Sequence, residues 1–191
     1  ISACLVGSEM CIRDSDYMAA AITRSNTTVE LMGETMKYAG SVAGTLGVSM
    51  DDLSVAIGLM SNSSVKGSRA GTALRTLLSN LSAPTDSVAT AMQKYGISLI
   101  TAKDGSVDLD KTLRNLRTSL KGLPLVEQAA ACKNLAGKTG MTGLLAIVNA
   151  TDEAYDSLTA SVQNSTQTVS YWNQNLGEMG ITGKECSDRI E

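Results

Sequence analysis

The chain has 191 residues and a formal net charge of −3, with 43% hydrophobic residues but only 3% aromatic ones, no Phe and one Trp. A core of Leu, Met, Ala and Val without large rings suits helix-on-helix packing better than a sandwich or a sheet platform. The missing basic face and interleaved aromatics argue against a nucleic-acid binder, no apolar run approaches the roughly 20 residues that cross a bilayer, and the absence of His removes the commonest general base and metal ligand.

The chain opens on Ile1 rather than Met. Its first four residues loosely resemble a lipoprotein cleavage box ending at Cys4, yet the basic and apolar regions that precede such a box are missing. Residues 5–14 back-translate into a transposase adapter used in sequencing libraries, and Ser15 fits the next bases. Residues 1–15 are therefore expected to be a translated cloning or assembly artefact outside the fold, the alternative being a frayed natural N-terminus; under either reading they carry no chemistry and the chain is truncated at its start.

From Asp16 onward the apolar period is helical. Thr27 or Thr28 caps a helix carrying Met32, Met36, Ala39, Val42, Ala43 and Leu46 at steps of three and four, and Gly47 stops it. Ser49 with Asp52 forms a capping box with Asp in place of Glu, ahead of Leu53, Ala56, Ile57 and Met60 on one face. After a polar break, Ala70, Ala73, Leu74, Leu77, Leu78 and Leu81 form a clean stripe. Pro84 and Thr85 open a further helix that carries Val88, Ala89 and Met92 as far as Gly96. Ile97, Leu99 and Thr101 then alternate ahead of Asp104-Gly105, which predicts a two-stranded ribbon leaning on the helices. Leu109, Leu113, Leu116 and Leu120 mark the next helix, and residues 122–124 close it. Two more short helices follow, separated at Gly137. From Asp152 the chain is polar and weakly periodic, and reads as the start of a longer helix.

No catalytic, cofactor-binding or metal-ligating residue is nominated. Ala136 to Gly140 reads AGKTG, but the first Gly of a phosphate loop and its preceding strand are missing, so Gly137 is read as a helix stop. Gly67 and Gly71, four apart, permit close approach of two helix backbones. Lys66, Arg69 and Arg75 read as a solvated face with one structural ion pair rather than an anion site. The pairs Asp51-Asp52 and Asp108-Asp110 sit at helix starts, where negative charge complements the macrodipole. Cys4, Cys11, Cys132 and Cys186 have no CxxC spacing, so neither zinc nor a disulfide framework is expected, and Cys132 is read as a small core residue. Met32, Met36, Met50, Met60, Met92 and Met141 are read as core filling.

Residues 47–85, GVSMDDLSVAIGLMSNSSVKGSRAGTALRTLLSNLSAPT, resemble the core region of phage tail tape measure proteins. The likeness continues through the lone Gly96-Ile97, the turn glycine and Leu-rich helix of residues 105–123, and the small-residue helix, Gly turn and Gly-Leu-Leu helix of residues 127–150. It covers about residues 16–158, with a departure at Cys132-Lys133-Asn134, where a more apolar run is expected. The resemblance implies a structural phage or prophage tail protein, not an enzyme. It implies a part of the tape measure that scaffolds tube assembly and sets tail length, located in the tail lumen of the virion and in the host bacterial cytoplasm during assembly. The implied partners are tail tube and tail-tip proteins, tail assembly chaperones and other copies of itself, with no sequence-specific nucleic acid, no membrane segment in this chain and no cofactor.

The expected fold class is mainly α: a compact array of short amphipathic helices with one small β-hairpin, followed by the start of a longer helix. The expected division is residues 1–15 as artefact, 16–150 as a helical tape-measure core module and 151–191 as the start of a longer helical extension. The alternative is a helical protein-binding module of a secreted bacterial protein. A hydrolase would need a nucleophile with a base, and without His no set of residues clusters convincingly.

Overall fold

The computed structural model describes residues 2–165, with side chains from residue 13 onward. Eight helices follow one another among the described residues: α1 (Ser2–Arg24), α2 (Val29–Thr45), α3 (Met50–Asn62), α4 (Gly67–Ser82), α5 (Asp86–Tyr95), α6 (Leu109–Lys121), α7 (Leu125–Asn149) and α8 (Asp152–Gln163). α1 runs without a break through residues 2–15. Tyr17 and Met18, the first apolar residues whose side chains are described, pack against the core.

Local chemistry sets the starts. Thr28 Oγ1 accepts from the Leu31 N–H at 3.3 Å, Ser49 Oγ from Asp52 at 3.4 Å, Asp108 Oδ1 from Lys111 at 2.9 Å and Thr151 Oγ1 from Ala154 at 3.1 Å. Each oxygen satisfies one of the orphan donors of a helix N-terminus. Only half of the expected box at Ser49 forms. The Asp52 carboxylate turns away and accepts instead from the Asp110 N–H at 3.1 Å. Gly47 and Gly96 follow the ends of α2 and α5 in the left-handed region, as their positions in the sequence implied.

α4 is pinned between α2 and α7. Gly71 and Ala73 lie about 200° apart around the helix, on opposite sides. On one side, a Cβ on Gly71 would sit 2.6 Å from the Thr35 carbonyl oxygen and 2.7 Å from Tyr38 Cβ. The Thr35 hydroxyl donates to the Gly67 carbonyl at 3.0 Å. On the other side, a Cβ on Gly140 would sit 3.2 Å from Ala73 Cα, and one on Gly143 3.0 Å from Ala73 Cβ and 2.8 Å from Met60 Sδ. The missing side chains let three backbones stack closely. The Gly67/Gly71 pair performs the role its spacing suggested.

α3 departs from the one-face reading. Every residue from Leu53 to Ser61 is buried. It runs through the middle of the molecule, with α1 and α8 on one side and α4 and α7 on another, so its polar positions are enclosed as well. The Leu stripes of α4 and α6 are buried as read, with Leu74, Leu78, Leu109, Leu116 and Leu120 all at 0% exposure.

The expected two-stranded ribbon does not form. Among the described residues there is no strand, only a single antiparallel bridge between Thr101 and Val107. The reason lies in where the backbone donors go. The Ser98 N–H is taken by Asn115 Oδ1 at 3.1 Å and the Ile100 N–H by Thr112 Oγ1 at 3.0 Å. The Val107 N–H goes to the Leu46 carbonyl at 2.9 Å. The pairing is therefore limited to the backbone bonds flanking the bridge, from the Ala102 N–H to the Ser106 carbonyl at 2.8 Å and from the Asp108 N–H to the Ile100 carbonyl at 3.0 Å, because side chains of α6 take the Ser98 and Ile100 donors that would extend it. The turn at Asp104-Gly105 survives, with Asp104 Oδ1 accepting from the Ser106 N–H at 3.0 Å, and Ile97 and Val107 anchor the segment in the body.

α7 is two helices meeting at Gly137, whose φ of 71° and ψ of 174° are non-helical. A Cβ is disfavoured there by conformation rather than by space. The corner folds the halves together: Asn149 Nδ2 donates to Gln128 Oε1 at 3.1 Å, whereas 21 residues of straight helix would separate them by roughly 31 Å. Asn80 Nδ2 captures the Leu135 carbonyl beside the corner at 2.7 Å. Cys132 is buried while Lys133 and Asn134 are exposed, so the polar pair in that helix falls on the solvent side. α8 packs back on α1 and α3, burying Tyr155, Leu158 and Val162. The rest of the expected extension, residues 166–191, lies outside the described residues.

Two glycine substitutions separate the packing effect from helix propensity. Gly71→Ala is expected to lower stability by about 1–2 kcal/mol, because overpacking against Thr35 outweighs the gain in propensity. Gly44→Ala, where a Cβ meets nothing within 4 Å, is expected to raise it by about 0.5–1 kcal/mol. Urea unfolding of both variants checks the pair.

Candidate functional site

The largest polar constellation joins the starts of α3, α6 and α8 with the end of α7. Its centre is Tyr155, 1% exposed. The ring lies between two guanidinium groups, with Arg114 Cζ 4.5 Å and Arg117 Cζ 4.8 Å from its centroid. Its hydroxyl donates to Asp110 Oδ1 at 2.9 Å. The other oxygen, Asp110 Oδ2, accepts from Arg114 Nε at 2.9 Å, and Arg114 Nη1 reaches Asp156 Oδ1 at 2.8 Å. α6 supplies both arginines because positions 110, 114 and 117 follow one another at helical steps of four and three.

Arg117 is the buried cation of the group, 5% exposed. It donates to the Ile147 carbonyl, to the Ala150 carbonyl at 2.9 Å and to Asp152 Oδ1 at 2.6 Å. Two of these acceptors are carbonyls at the end of α7, so the guanidinium caps that helix and the carboxylate neutralises it. Lys121 Nζ adds a bond to Asp152 Oδ2 at 2.9 Å. Hydrogen bonds from Lys121 and then Arg117 hold the Asp152 carboxyl below the usual carboxylate range.

Burial raises the Tyr155 hydroxyl above its ordinary range, and the charge of Asp110 adds to this. The protonated hydroxyl is the donor in its bond to Asp110. Burial also pushes Asp52 up to about 6, with Asp51, Asp110 and Asp108 adding to the rise and the Asp110 N–H opposing it. A smaller tie fastens α5 to the start of α7, where Glu127 Oε1 accepts from Lys94 Nζ at 2.8 Å and from the Tyr95 hydroxyl at 3.3 Å.

The remaining sequence candidates stay apart from this cluster. Lys138 of the AGKTG stretch is exposed in the second half of α7, just past the corner at Gly137. Arg69 and Arg75 are exposed, and the expected ion pair there is missing among the described residues. Met32 and Met60 are buried, and Met36, Met92 and Met141 pack on the core's edge. Burial pushes the Cys132 thiol up to about 12. Asp51, Asp52, Asp108 and Asp110 do lie at helix starts, as read. Their convergence across 58 residues of chain, through the Asp110 N–H and Asp52, had no local signal. Tyr155 and Arg117 were not singled out. The clue available was Arg117 itself, a charge at a core position beside Leu113, Leu116 and Leu120. Among the described residues no group of three or more His, Cys, Asp or Glu could hold a metal ion, and no helix is long and apolar enough to cross a membrane.

What these side chains do is hold helix to helix, which defines a helical structural module. A family model for phage-related minor tail proteins matches residues 10–137. The chain is 33% identical to the tape measure protein of Pneumococcus phage Dp-1 over 151 residues, which are 79% of this chain and 13% of that protein. It is 25% identical to the probable tape measure protein of Escherichia phage P2 over 169 residues, 85% of this chain and 21% of that protein. No solved structure matches the chain. The chain belongs to the phage-related minor tail protein family, within its tape measure proteins. It spans only about an eighth to a fifth of the length of these curated relatives.

Arg117→Met is expected to destabilise the chain by about 2–4 kcal/mol, because it orphans two carbonyls and frees Asp152. Arg117→Lys is expected to recover little, since one ammonium cannot bridge the same three acceptors. Denaturant titration of both variants checks this.

A second expectation concerns pH. Between about pH 4 and 6 the native state keeps on Asp52 a proton that the unfolded chain releases. Stability from this group is therefore greatest below pH 4 and is lost as pH rises through 6, by about 1 kcal/mol after solvent screening. Asp52→Asn, which can still accept from the Asp110 N–H, is expected to flatten that part of the stability–pH curve.

Proposed function

We propose that this chain is a folded module of a tape measure protein that scaffolds tail tube assembly and sets tail length. The identity shared over 79% of the chain with a protein named as a tape measure is the observation that supports this reading. The physical basis of a ruler is that a helix converts residue count into distance at about 1.5 Å per residue. This region does not use its residues that way. Its described helices turn back on one another at Gly47, at Gly96 and at the Gly137 corner, so it adds mass without adding length. In this reading the module is a body carried by the ruler, and the ruler proper lies in helical chain outside it.

The tube proteins would polymerise around the longer helical portion within the tail lumen, after assembly begins in the host cytoplasm. The partners that fit are tail tube and tail-tip proteins, tail assembly chaperones and further copies of the same chain. The acidic balance of the chain gives no basis for sequence-specific contact with DNA. Residues 16–150 would form the core module and residues 151–191 lead into the extension. We also propose that residues 1–15 derive from an adapter, a reading supported by the back-translation of residues 5–14. Sequencing the genomic locus across codon 15 tests it.

An in-frame deletion of about 60 residues from the helical portion of the full-length gene, outside this module, is expected to shorten tails by roughly 90 Å. Electron microscopy of the assembled tails measures it. Tails of unchanged length would sink the ruler role.

A further inference from the structure

The two sides of this molecule are finished to different standards. Five side-chain oxygens among the described residues are buried without a hydrogen-bond partner: Asp16 Oδ2, Thr27 Oγ1, Ser54 Oγ, Ser61 Oγ and Thr159 Oγ1. All five lie in α1, in the turn after it, in α3 or in α8. None lies in α2, α4 or α7, where Thr35, Asn80 and Gln128 all find partners. Ser54, Gly58 and Ser61 stand at steps of four and three on one face of α3. That face meets α8, since a Cβ on Gly58 would sit 2.8 Å from Leu158 Cδ2. The seam under α8 thus encloses hydroxyls on both sides, Ser54 and Ser61 on α3 and Thr159 on α8, that water would satisfy. Each such group is costly when left unpaired, and hydration relieves that cost.

The attachments of α8 are also of a particular kind. Tyr155 bonds Asp110, Asp152 pairs with Arg117 and Lys121, and Asp156 pairs with Arg114. The α8 partners of these ion pairs are well exposed, with side chains 76% accessible at Asp152 and 61% at Asp156. Salt therefore screens the Arg114–Asp156 and Lys121–Asp152 pairs readily, and the Arg117–Asp152 pair, whose cation is buried, less so. The α2–α4–α7 stack has no comparable dependence, because backbone proximity and aliphatic packing hold it.

We propose that α8 is a latch. It undocks from α1 and α3 as a unit, through breakage of the Tyr155–Asp110 and Asp152/Asp156 contacts, while α2, α4 and α7 stay folded. Undocking hydrates Ser54, Ser61 and Thr159. The inference does not depend on the tail assignment, because it concerns only the relative strength of two seams.

Native-state hydrogen exchange of the chain, read segment by segment by mass spectrometry, tests it. The amides of α8 are expected to exchange at least about tenfold faster than those of α4. Raising salt from about 0.05 to 0.5 M should speed α8 several-fold further and leave α4 unchanged. Ser54→Ala, which removes one enclosed hydroxyl and leaves every ion pair intact, should slow α8 exchange about threefold or more. Equal protection of α8 and α4, an α8 rate indifferent to salt, or an α8 rate unmoved by Ser54→Ala would each overturn the latch.

Discussion

Close contact between backbones on the two sides of α4 is the constraint on which the rest of the molecule depends. Gly71 brings α4 against Thr35 of α2, and Gly140 with Gly143 brings α7 against Ala73. A chain with so few aromatic residues cannot fill wide gaps between helices, because large rings supply most of the bulk in ordinary cores. Leu, Ala and Met fill narrow ones, and dispersion between many close atoms replaces the burial of a few large groups. The small-residue positions and the absence of Phe are two aspects of one solution.

From that stack the polar chemistry follows. Bringing α7 alongside α4 requires the chain to turn at Gly137, and the corner disturbs the helix around Leu135. Asn80 on α4 caps the freed carbonyl. The far end of α7 is closed by Arg117 from α6, whose charge is balanced by Asp152 at the start of α8. The buried arginine is thus a consequence of where α7 must end. Tyr155 fills the space between Arg117 and Arg114, and its hydroxyl finds Asp110. The cluster is a brace, whose charged side chains hold α6, α7 and α8 together.

Much of this was legible in the sequence where the signal is local. Thr28, Ser49 and Asp108 act as caps because a side-chain oxygen one turn away is all a cap requires. The stripes of α4 and α6 read directly as buried faces. The glycine pair at Gly67 and Gly71 announced a close approach, and Gly137 announced a stop. Three things were not legible, for related reasons. The stretch from Ile97 to Asp108 alternates like a ribbon, yet the Ser98 and Ile100 N–H groups are claimed by Asn115 and Thr112, which only the tertiary fold brings near. α3 shows an apolar face but is enclosed on every side, because burial of its polar positions depends on α1 and α8. The brace joins residues up to 58 positions apart, and only Arg117, a charge among leucines, marks it in the sequence.

The central claim is geometric: α2 and α7 flank α4 on opposite sides in close backbone contact. Nitroxide labels at Lys37 on α2 and Thr142 on α7, both exposed, report that spacing directly by pulsed electron resonance. Two helix-to-helix steps of about 8–10 Å each, plus the label arms, predict one narrow distance distribution centred at roughly 20–30 Å. A broad distribution, or a mean well beyond that range, would mean that the three helices do not stack and would contradict the account.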